Sequence, residues 1–459
     1  MAPAVKTFKL TRRSALAGLV SAISSPALAG LRRETDLDVL VVGAGAAGIA
    51  AGRRLLASNK KFAIVEASDR MGGRCYTETA TFNLPNDRGA SAIHLPAQST
   101  LAALAAKNGT ELYQDPAREQ IRVRKRIGVE KNLEEIHSKL ELEEFYADSV
   151  RCRAAIAQAA ADKGDVSCAE ALPTDLGYWQ RTMEFVLGPY RFGAELKELS
   201  AKEYTSCIDR SPKWLCRQGV GALIGKLALG VPIKFFSPVT LVDWGERSVT
   251  LAMGQEVVTA RAAIITASTA VLASGKIEFR PHLPARYASA FEKLKLGSYD
   301  HVALTFEDNP LGLNANELVF EKAFTAKTAA LFANVHGTRL SLLTLAGRTG
   351  AELADKGESA MTDFALDWIS GIFGSRAKQA VSRMQATSWK KDPWTLGAFS
   401  SAPPGAQEAR KALAEPLNEV VWFAGEAVHQ NFWGTVGGAW QDGERAANAV
   451  IAQLDRKSA

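Results

Sequence analysis

Several common features are missing from this sequence, and each absence excludes a class of protein. The 459 residues include only five cysteines, an odd number without Cys-x-x-Cys spacing, so neither a zinc site nor a full disulfide framework is predicted. A single bridge, such as Cys207–Cys216, stays open for an oxidising compartment. Beyond the N-terminus no stretch approaches the roughly 20 apolar residues that cross a bilayer, so we expect no stable membrane insertion. No internal repeat, low-complexity tract or Ser/His/Asp constellation is visible.

The charge of the chain excludes another class of partner. The formal net charge is +6, but four of the positive charges lie in the first 29 residues, which contain no acidic residue. The rest of the chain therefore carries only +2. Because a nucleic-acid-binding surface needs a marked excess of Lys and Arg, we predict no nucleic-acid partner.

The first 29 residues have the composition of an export signal. Arg12 and Arg13 precede a mildly apolar run at 15–23, and the small residues at 26–29 form a cleavage pattern. Adjacent arginines before a weakly hydrophobic segment resemble a twin-arginine signal, which exports folded proteins with their cofactors. We therefore expect a periplasmic protein, with a cytoplasmic location as the alternative.

A compact strand–helix–strand unit follows the N-terminal segment. Residues 38–42 form an apolar, β-branched run that is typical of a buried parallel strand. A glycine-rich turn comes next, residues 49–58 have helical composition, and residues 62–66 form a second strand. This order is that of a βαβ unit, which indicates an α/β nucleotide-binding fold.

The turn between the first strand and the helix carries a phosphate-binding pattern. Gly43, Gly45 and Gly48 satisfy Gly-x-Gly-x-x-Gly at the required place. Gly43 permits the tight turn, Gly45 lets a pyrophosphate approach the backbone, and Gly48 lets helix and strand pack closely. The helix N-terminus then favours the phosphate charge. Glu66, at the end of the second strand, can accept hydrogen bonds from ribose hydroxyls and would repel a 2′-phosphate, which disfavours NADP.

The stretch after Glu66 identifies the cofactor more closely. It reads Glu66-Ala67-x-x-Arg70-x-Gly72-Gly73-Arg74 and resembles the FAD-binding segment of the flavin-containing amine oxidases, a family that includes monoamine and polyamine oxidases and relatives acting on amino acids. Two arginines around a Gly-Gly pair can bring positive charge close to a pyrophosphate. The resemblance continues in segments that begin near residues 87, 217, 389 and 423, whereas residues 100–200 match no pattern of the family.

The resemblance implies FAD and assigns residues to it. In the family, the segment at 435–439 starts the last helix and points its N-terminus at the flavin N1–C2=O edge, where small residues at 437–439 let the ring come close. Glu426 matches the acid near the ribityl and pyrophosphate groups. Ala398 stands where monoamine oxidases have the cysteine that bonds to FAD, so we predict a noncovalent flavin. The assigned FAD-binding residues are Gly43, Gly45, Ala46, Ala47, Gly48, Glu66, Ala67, Arg70, Gly73, Arg74, Gly89, Ala90, Ser91, Val239, Gly425, Glu426, Thr435, Val436 and Ala439.

An aromatic slot beside the flavin is also implied by the resemblance. Phe399 aligns with one wall, and Phe432 or Trp433 is the candidate for the other. Such rings desolvate the amine, which favours its neutral form, and orient it. His301 replaces a family lysine that holds a water near flavin N5; it either holds a water or relays a proton, or is a strand histidine without a role. His94 matches a histidine near the amine of several polyamine oxidases, which suggests a di- or polyamine, with a core or capping role as the alternative.

Together these patterns predict an FAD-dependent amine oxidoreductase. Hydride passes from the α-carbon of a neutral small-molecule amine to flavin N5, and the resulting imine hydrolyses to a carbonyl compound. The electron acceptor is O2 or, because the lysine is replaced, a periplasmic c-type cytochrome. One alternative is an L-amino-acid oxidase, in which Arg88, Arg181 or Arg191 faces the substrate carboxylate; another is a noncatalytic flavin-binding protein. A carotenoid-type desaturase is disfavoured because no apolar docking face is visible, and the oligomeric state is not predicted.

The predicted fold class is α/β, with a discontinuous Rossmann-like FAD-binding domain and an inserted α+β substrate domain. Residues 1–29 are assigned to the export signal. The FAD-binding domain takes residues 33–95, 212–280 and 390–459. The substrate domain takes residues 96–211 and 281–389, which include a helical region.

Overall fold

The first strand, turn and helix form where the glycine pattern predicts them. In the computed structural model, the strand Leu37–Val42 pairs in parallel with the strand Phe62–Val65, and the helix Ala46–Ala57 connects them. The structure describes residues 37–116, 120–127, 139–207 and 211–456. The predicted export signal lies outside these residues, as does part of the predicted helical region.

The strands are short, and most contain β-branched or aromatic residues. In chain order, they are β1 (Leu37–Val42), β2 (Phe62–Val65), β3 (Thr77–Glu78), β4 (Asn86–Asp87), β5 (Ala92–His94), β6 (Leu112–Gln114), β7 (Ile121–Arg124), β8 (Lys213–Cys216), β9 (Ile233–Lys234), β10 (Leu241–Trp244), β11 (Val249–Met253), β12 (Glu256–Ile265), β13 (Glu278–Arg280), β14 (Lys295–Leu296), β15 (Tyr299–Phe306), β16 (Glu317–Glu321), β17 (Ala330–Ala333), β18 (Leu340–Ala346), β19 (Val381–Ala386), β20 (Ser400–Ser401) and β21 (Val421–Phe423).

The helices fall mainly in three regions of the chain: the N-terminal half, the segment after β18, and the C-terminus. They are α1 (Ala46–Ala57), α2 (Thr100–Lys107), α3 (Lys139–Asp162), α4 (Gln180–Leu187), α5 (Pro189–Phe192), α6 (Ala201–Ser206), α7 (Val220–Leu227), α8 (Thr269–Ala273), α9 (Ala285–Lys293), α10 (Gly347–Lys356), α11 (Glu358–Phe373), α12 (Ser375–Gln379), α13 (Gln407–Ala414) and α14 (Val436–Arg456). Within the described ranges, none of them combines the length and apolar character needed to cross a bilayer.

An eight-stranded sheet collects strands from distant parts of the chain. Its order is β13-β10-β11-β12-β1-β2-β9, and β21 pairs with β12. The strands β1, β2, β12 and β21 run parallel, so their carboxyl ends meet at one edge of the sheet. Ligands of α/β proteins bind at this edge. The predicted α/β class is confirmed by this architecture, while the division into two domains stays a prediction.

The last helix closes one face of this sheet against the first helix. Ala446, Val450 and Leu454 of α14 are fully buried in one apolar cluster with β1 and β2. The two helices come close because Gly443 has no side chain: a Cβ atom there would lie 2.1 Å from the carbonyl oxygen of Ala47. This contact holds the N-termini of α1 and α14 near the carboxyl edge of the strands.

A six-stranded sheet forms the second layer of the molecule. Its order is β19-β15-β18-β17-β16-β7, and its pairs are antiparallel apart from β16 and β7. Side chains alternate between its two faces, as strand geometry requires. Leu318 and Phe320 of β16 pack in the cluster of helices α3–α6, whereas Val319 packs in the cluster of α10 and α11. The five cysteines are free and buried, so the bridge Cys207–Cys216 is absent.

Candidate active site

A cavity of ≈ 1060 Å³ lies at the carboxyl edge of the parallel strands. Its walls come from the turn after β1, the residues that follow β2, β12 and β21, and the start of α14. The six-stranded sheet contributes the opposite end. The cavity therefore joins the segments that the sequence assigns to FAD with segments that it leaves unassigned.

The glycine turn leaves room where a pyrophosphate is predicted. Gly43 has a φ of +99°, which favours glycine, and a Cβ atom on Gly48 would lie 1.9 Å from the carbonyl oxygen of Gly43. A Cβ atom on Gly45, in contrast, would meet only the carbonyl oxygen of Gly72, at 4.0 Å. Gly45 lines the cavity and Gly48 does not. The open space at Gly45 fits a phosphate group that approaches the backbone.

Glu66 is fixed at the end of β2 with its carboxylate against the turn. Its Oε2 atom accepts a hydrogen bond from Ala44 N at 2.7 Å, and its Oε1 atom accepts from Ser68 N at 2.9 Å and Ser68 Oγ at 2.7 Å. The side chain is buried and lines the cavity. An oriented carboxylate at this place fits the predicted ribose contact.

The two arginines of the Gly-Gly segment have different partners. Arg70 donates to the carbonyl oxygen of Gly73 at 2.7 Å and lies over the ring of Tyr76. Arg74 donates from Nη1 to the carbonyl oxygen of Ala398 at 2.6 Å and to Glu426 Oε1 at 2.8 Å. Both arginines line the cavity. Arg74 therefore ties the segment after β2 to the segment after β21.

Glu426 is the most highly coordinated acid of the cavity. Besides Arg74, it accepts hydrogen bonds from Ser400 Oγ at 2.8 Å, Ser400 N at 3.1 Å and Gly434 N at 2.9 Å. Burial alone would raise the pKa of Glu426, but the Arg74 charge, the Ser400 hydrogen bond and the Arg410 charge lower it below its ordinary value. The carboxylate is therefore ionised at neutral pH.

The remaining predicted FAD residues also line the cavity. This set comprises Ala46, Ala47, Ala67, Gly73, Gly89, Ala90, Ser91, Val239, Gly425, Thr435, Val436 and Ala439. A Cβ atom added to Gly425 would meet no atom within 4 Å, so the cavity passes close to the backbone there. Asp87, just before Gly89, instead accepts hydrogen bonds from Thr77 and from Val220 N at the start of α7. Burial raises the pKa of Asp87 to about 6.

The start of α14 differs in one respect from the prediction. Thr435 Oγ accepts a hydrogen bond from Gly438 N at 2.9 Å and so caps the helix. A Cβ atom on Gly437 would lie 2.8 Å from the Phe432 ring, and one on Gly438 would lie 2.0 Å from the Phe432 carbonyl oxygen. These two glycines make room for Phe432, and they do not line the cavity where a flavin ring would approach.

Phe399, His94 and His301 line the cavity as the slot prediction requires, but Phe432 and Trp433 do not. Trp433 is 0% exposed and packs in the helical cluster, where its ring centroid lies 5.1 Å from that of Phe192. The placement of Phe432 or Trp433 on the second wall is therefore wrong. The side chains of both turn away from the cavity because buried partners hold them elsewhere.

Aromatic residues that the sequence did not reveal form the second wall. Tyr190, Tyr299 and Phe332 line the cavity, and the Tyr299 ring centroid lies 5.4 Å from that of Phe399 and 6.4 Å from that of Tyr190. Strand alternation gave one signal for them, since Tyr299 and His301 are two residues apart on β15 and share a face. Tyr190 and Phe332 carried no such signal.

His301 is a buried neutral base in this wall. Its Nδ1 atom lies 3.3 Å from Thr344 Oγ, and its backbone N–H donates to Thr387 Oγ at 2.9 Å. Burial lowers the pKa of His301 to about 4, so the ring is uncharged at neutral pH. Its role as a water holder or proton relay stays a prediction.

The three arginines considered for a substrate carboxylate occupy different places. Arg88 donates to the carbonyl oxygen of Ala386 at 3.2 Å, and Arg181 forms an exposed ion pair with Glu184. Neither lines the cavity, whereas Arg191 does.

Comparison with known proteins gives the family. A family model described as flavin containing amine oxidoreductase matches residues 46–451. The chain is 25% identical to human lysine-specific histone demethylase 2 over 457 aligned residues, with 90% of this chain and 53% of that protein covered. It is 26% identical to polyamine oxidase 4 of Oryza sativa subsp. japonica, with 90% and 88% covered. The chain thus spans about half the length of the histone demethylase that it matches.

Solved structures share the fold. Cyclohexylamine oxidase from Brevibacterium oxydans IH-35A superposes with a TM-score of 0.74 at 22% identity, covering 92% of this chain and all of that one. Wild-type putrescine oxidase bound to putrescine gives a TM-score of 0.74 at 20% identity, covering 91% and 99%. The predicted cofactor, FAD, and the predicted enzyme class, an FAD-dependent amine oxidase, are confirmed at the level of the family. The chain belongs to the flavin-containing amine oxidoreductases.

Proposed function

We propose that the chain oxidises a neutral amine to an imine, which hydrolyses to a carbonyl compound, with noncovalently bound FAD. One observation carries the proposal: a single cavity joins the residues assigned to FAD with an aromatic wall that holds an uncharged histidine. When bound, FAD supplies the two-electron chemistry by accepting hydride from the carbon next to the amine nitrogen. The residues of the chain bind, orient and exclude water.

A noncovalent flavin is supported by the residues near Ala398. Ala398 lines the cavity where monoamine oxidases have their flavin-bonded cysteine, and it has no group that could form such a bond. Within the described ranges, Cys75 is the cysteine that lines the cavity. Burial raises the pKa of the Cys75 thiol to about 12, which disfavours the reactive thiolate.

The aromatic wall is suited to an uncharged amine. Tyr190, Tyr299 and Phe399 present adjacent ring surfaces, and burial raises the pKa of the Tyr190 hydroxyl above its ordinary value, so that it stays protonated. A low-dielectric wall favours the neutral form of an amine over its ammonium form. The neutral form is the one that can lose hydride.

Acceptor and location complete the proposal. We infer either O2 or a periplasmic c-type cytochrome as electron acceptor, since His301 replaces the family lysine. Export through a twin-arginine-type signal is supported by Arg12 and Arg13 with the apolar run behind them. An amino-acid substrate is the second candidate, because Arg191 lines the cavity.

An anaerobic bleaching screen tests the proposal. The purified holoprotein is mixed with a panel of primary and secondary amines, and the flavin band near its visible maximum is followed. We expect at least one amine to bleach the band; the absence of bleaching with every amine would favour the noncatalytic flavin-binding alternative. Mixing the reduced protein with O2 or with cytochrome c then identifies the acceptor by the faster recovery of the band.

A further inference from the structure

Two cationic side chains line the aromatic end of the cavity. Lys213 of β8 stands opposite His94 of β5, and its Nζ atom lies 6.0 Å from the centroid of the Phe332 ring. Arg191 of α5 follows Tyr190, whose ring belongs to the same wall. Both positive charges therefore face the space beside the rings, at a distance from the glycine turn.

The ammonium of Lys213 is held in place from behind. Its Nζ atom lies 2.6 Å from Asp115 Oδ2, and the Asp115 side chain is 1% exposed, against 37% for Lys213. Asp115 does not line the cavity. The carboxylate therefore anchors the lysine and offsets part of its charge, while the ammonium is the group that a bound molecule meets.

The acids that line the cavity belong to the other end. In the part of the chain that the structure describes, they are Glu66, Asp69, Asp392 and Glu426. Glu66 is engaged by the turn after β1, and Glu426 by Arg74 and Ser400. Among the described residues, the aromatic end thus presents two cations to a substrate and no lining carboxylate.

We propose that Arg191 and Lys213 select the substrate by charge, so that the cavity accepts an amine that also carries a carboxylate and disfavours a second ammonium. This inference rests on the proposed amine oxidation and names its substrate class. Specificity arises from both parts of the arrangement, since a carboxylate gains two cationic partners and an ammonium meets like charges. The similarity to polyamine and putrescine oxidases makes the distinction worth testing, because their names indicate substrates with more than one amine.

Four six-carbon amines test the charge preference. Hexylamine, 1,6-diaminohexane, 6-aminohexanoate and 2-aminohexanoate differ only in the group added to the chain, so their apparent Kd values in anaerobic flavin reduction are directly comparable. We expect at least one aminohexanoate to bind about tenfold or more tightly than the diamine, which corresponds to roughly 1.4 kcal/mol. Equal or tighter binding of the diamine would overturn the proposal.

Variants of the two cations test their role. Arg191→Met removes one charge, and Lys213→Met combined with Asp115→Asn removes the other without leaving Asp115 as an uncompensated buried acid. Each variant should reduce the preference for the aminohexanoate to within about threefold of the diamine. Arg181→Met serves as the control, since Arg181 is paired with Glu184 at the surface and does not line the cavity. A preference that persists in both variants contradicts the assignment.

Binding of hexanoate separates this inference from the proposed function. Hexanoate has the carboxylate but no nitrogen to oxidise, and its binding to the holoprotein is followed by the shift of the flavin spectrum and by thermal unfolding. We expect binding that Arg191→Met weakens about tenfold and Arg181→Met leaves unchanged. If no amine bleaches the flavin while hexanoate binds in this way, the proposed oxidation fails and the anion site stands. If amines bleach the flavin and hexanoate does not bind, the oxidation stands and the charge selection fails.

Discussion

Arg410 and Glu203 form an ion pair in the interior, with Arg410 Nε 2.9 Å from Glu203 Oε2 and side chains 1% and 7% exposed. Arg410 lies on α13 and Glu203 on α6. The guanidinium also donates to Ser400 Oγ at 3.0 Å and to the carbonyl oxygen of Ala427 at 2.6 Å. Since Ser400 in turn binds Glu426, the pair connects the helical cluster to the acid of the FAD site.

We expect Arg410→Met to destabilise the fold strongly. The substitution leaves Glu203 buried without its partner, which costs about 3–5 kcal/mol of unfolding free energy. Chemical denaturation of the apoprotein measures this loss. The double variant Arg410→Met with Glu203→Gln should recover part of it, whereas Arg181→Met, at an exposed pair, should change the free energy of unfolding by about 0–1 kcal/mol. A single variant as stable as wild type would show that the pair contributes nothing.

Glu426→Gln is expected to weaken FAD binding. The variant keeps the shape of the side chain but removes the charge that Arg74 and the Ser400 hydrogen bond stabilise. Loss of a charge-assisted contact of about 1.5–3 kcal/mol corresponds to a Kd for FAD roughly 10- to 150-fold higher. Titration of the apoprotein with FAD, followed by quenching of flavin fluorescence, gives the constant. An unchanged Kd would remove Glu426 from the binding site.

Two glycines of the turn should respond differently to alanine. Gly45→Ala adds a methyl group into open cavity space, so the protein should fold normally and bind FAD at least about tenfold more weakly, a loss of roughly 1.4 kcal/mol. Gly48→Ala places its Cβ atom 1.9 Å from the Gly43 carbonyl oxygen, so it should destabilise the fold itself. Thermal unfolding of the apoproteins separates the two effects. Normal FAD affinity in folded Gly45→Ala protein would argue against the pyrophosphate position.

The titration of His301 predicts a pH dependence of stability. Its pKa falls from 6.5 to about 4 on folding because of burial, so between these values the unfolded chain binds more protons. Stability is therefore lost as the pH falls through this window, by at most about 1.4 kcal/mol per pH unit from this group. Asp87 and Asp300, whose pKa values burial raises to about 6, act in the opposite direction. Comparing wild type with His301→Gln isolates the histidine: the variant should lose less stability between pH 6.5 and 4, and parallel curves would contradict the prediction.

The sequence predicted the nucleotide-binding unit well because its signals are local. The β1 strand, the turn at Gly43 and the α1 helix depend on residues that are neighbours in the chain, and a strand that ends in Glu66 fixes the place of that carboxylate. Distant segments such as the one with Glu426 could be added because the family pattern marks them. Local rules of this kind do not depend on how the rest of the chain packs.

The substrate wall could not be predicted in the same way. Phe432 and Trp433 directly precede α14, but Trp433 turns toward Phe192 and Arg410, which come from distant segments. Tyr190 and Phe332 reach the cavity through the packing of the helical cluster on the six-stranded sheet. Which way such side chains point is decided by long-range contacts that no short pattern encodes.

The position of β21 and α14 has a consequence for biosynthesis. β21 pairs with β12, and α14 packs on α1, so residues 421–456 complete a layer whose first strand is made nearly 400 residues earlier. A nascent polypeptide on the ribosome lacks Glu426 and the last helix until translation is nearly finished. Loading of the cofactor must therefore be a post-translational event, and C-terminal truncations should yield colourless protein.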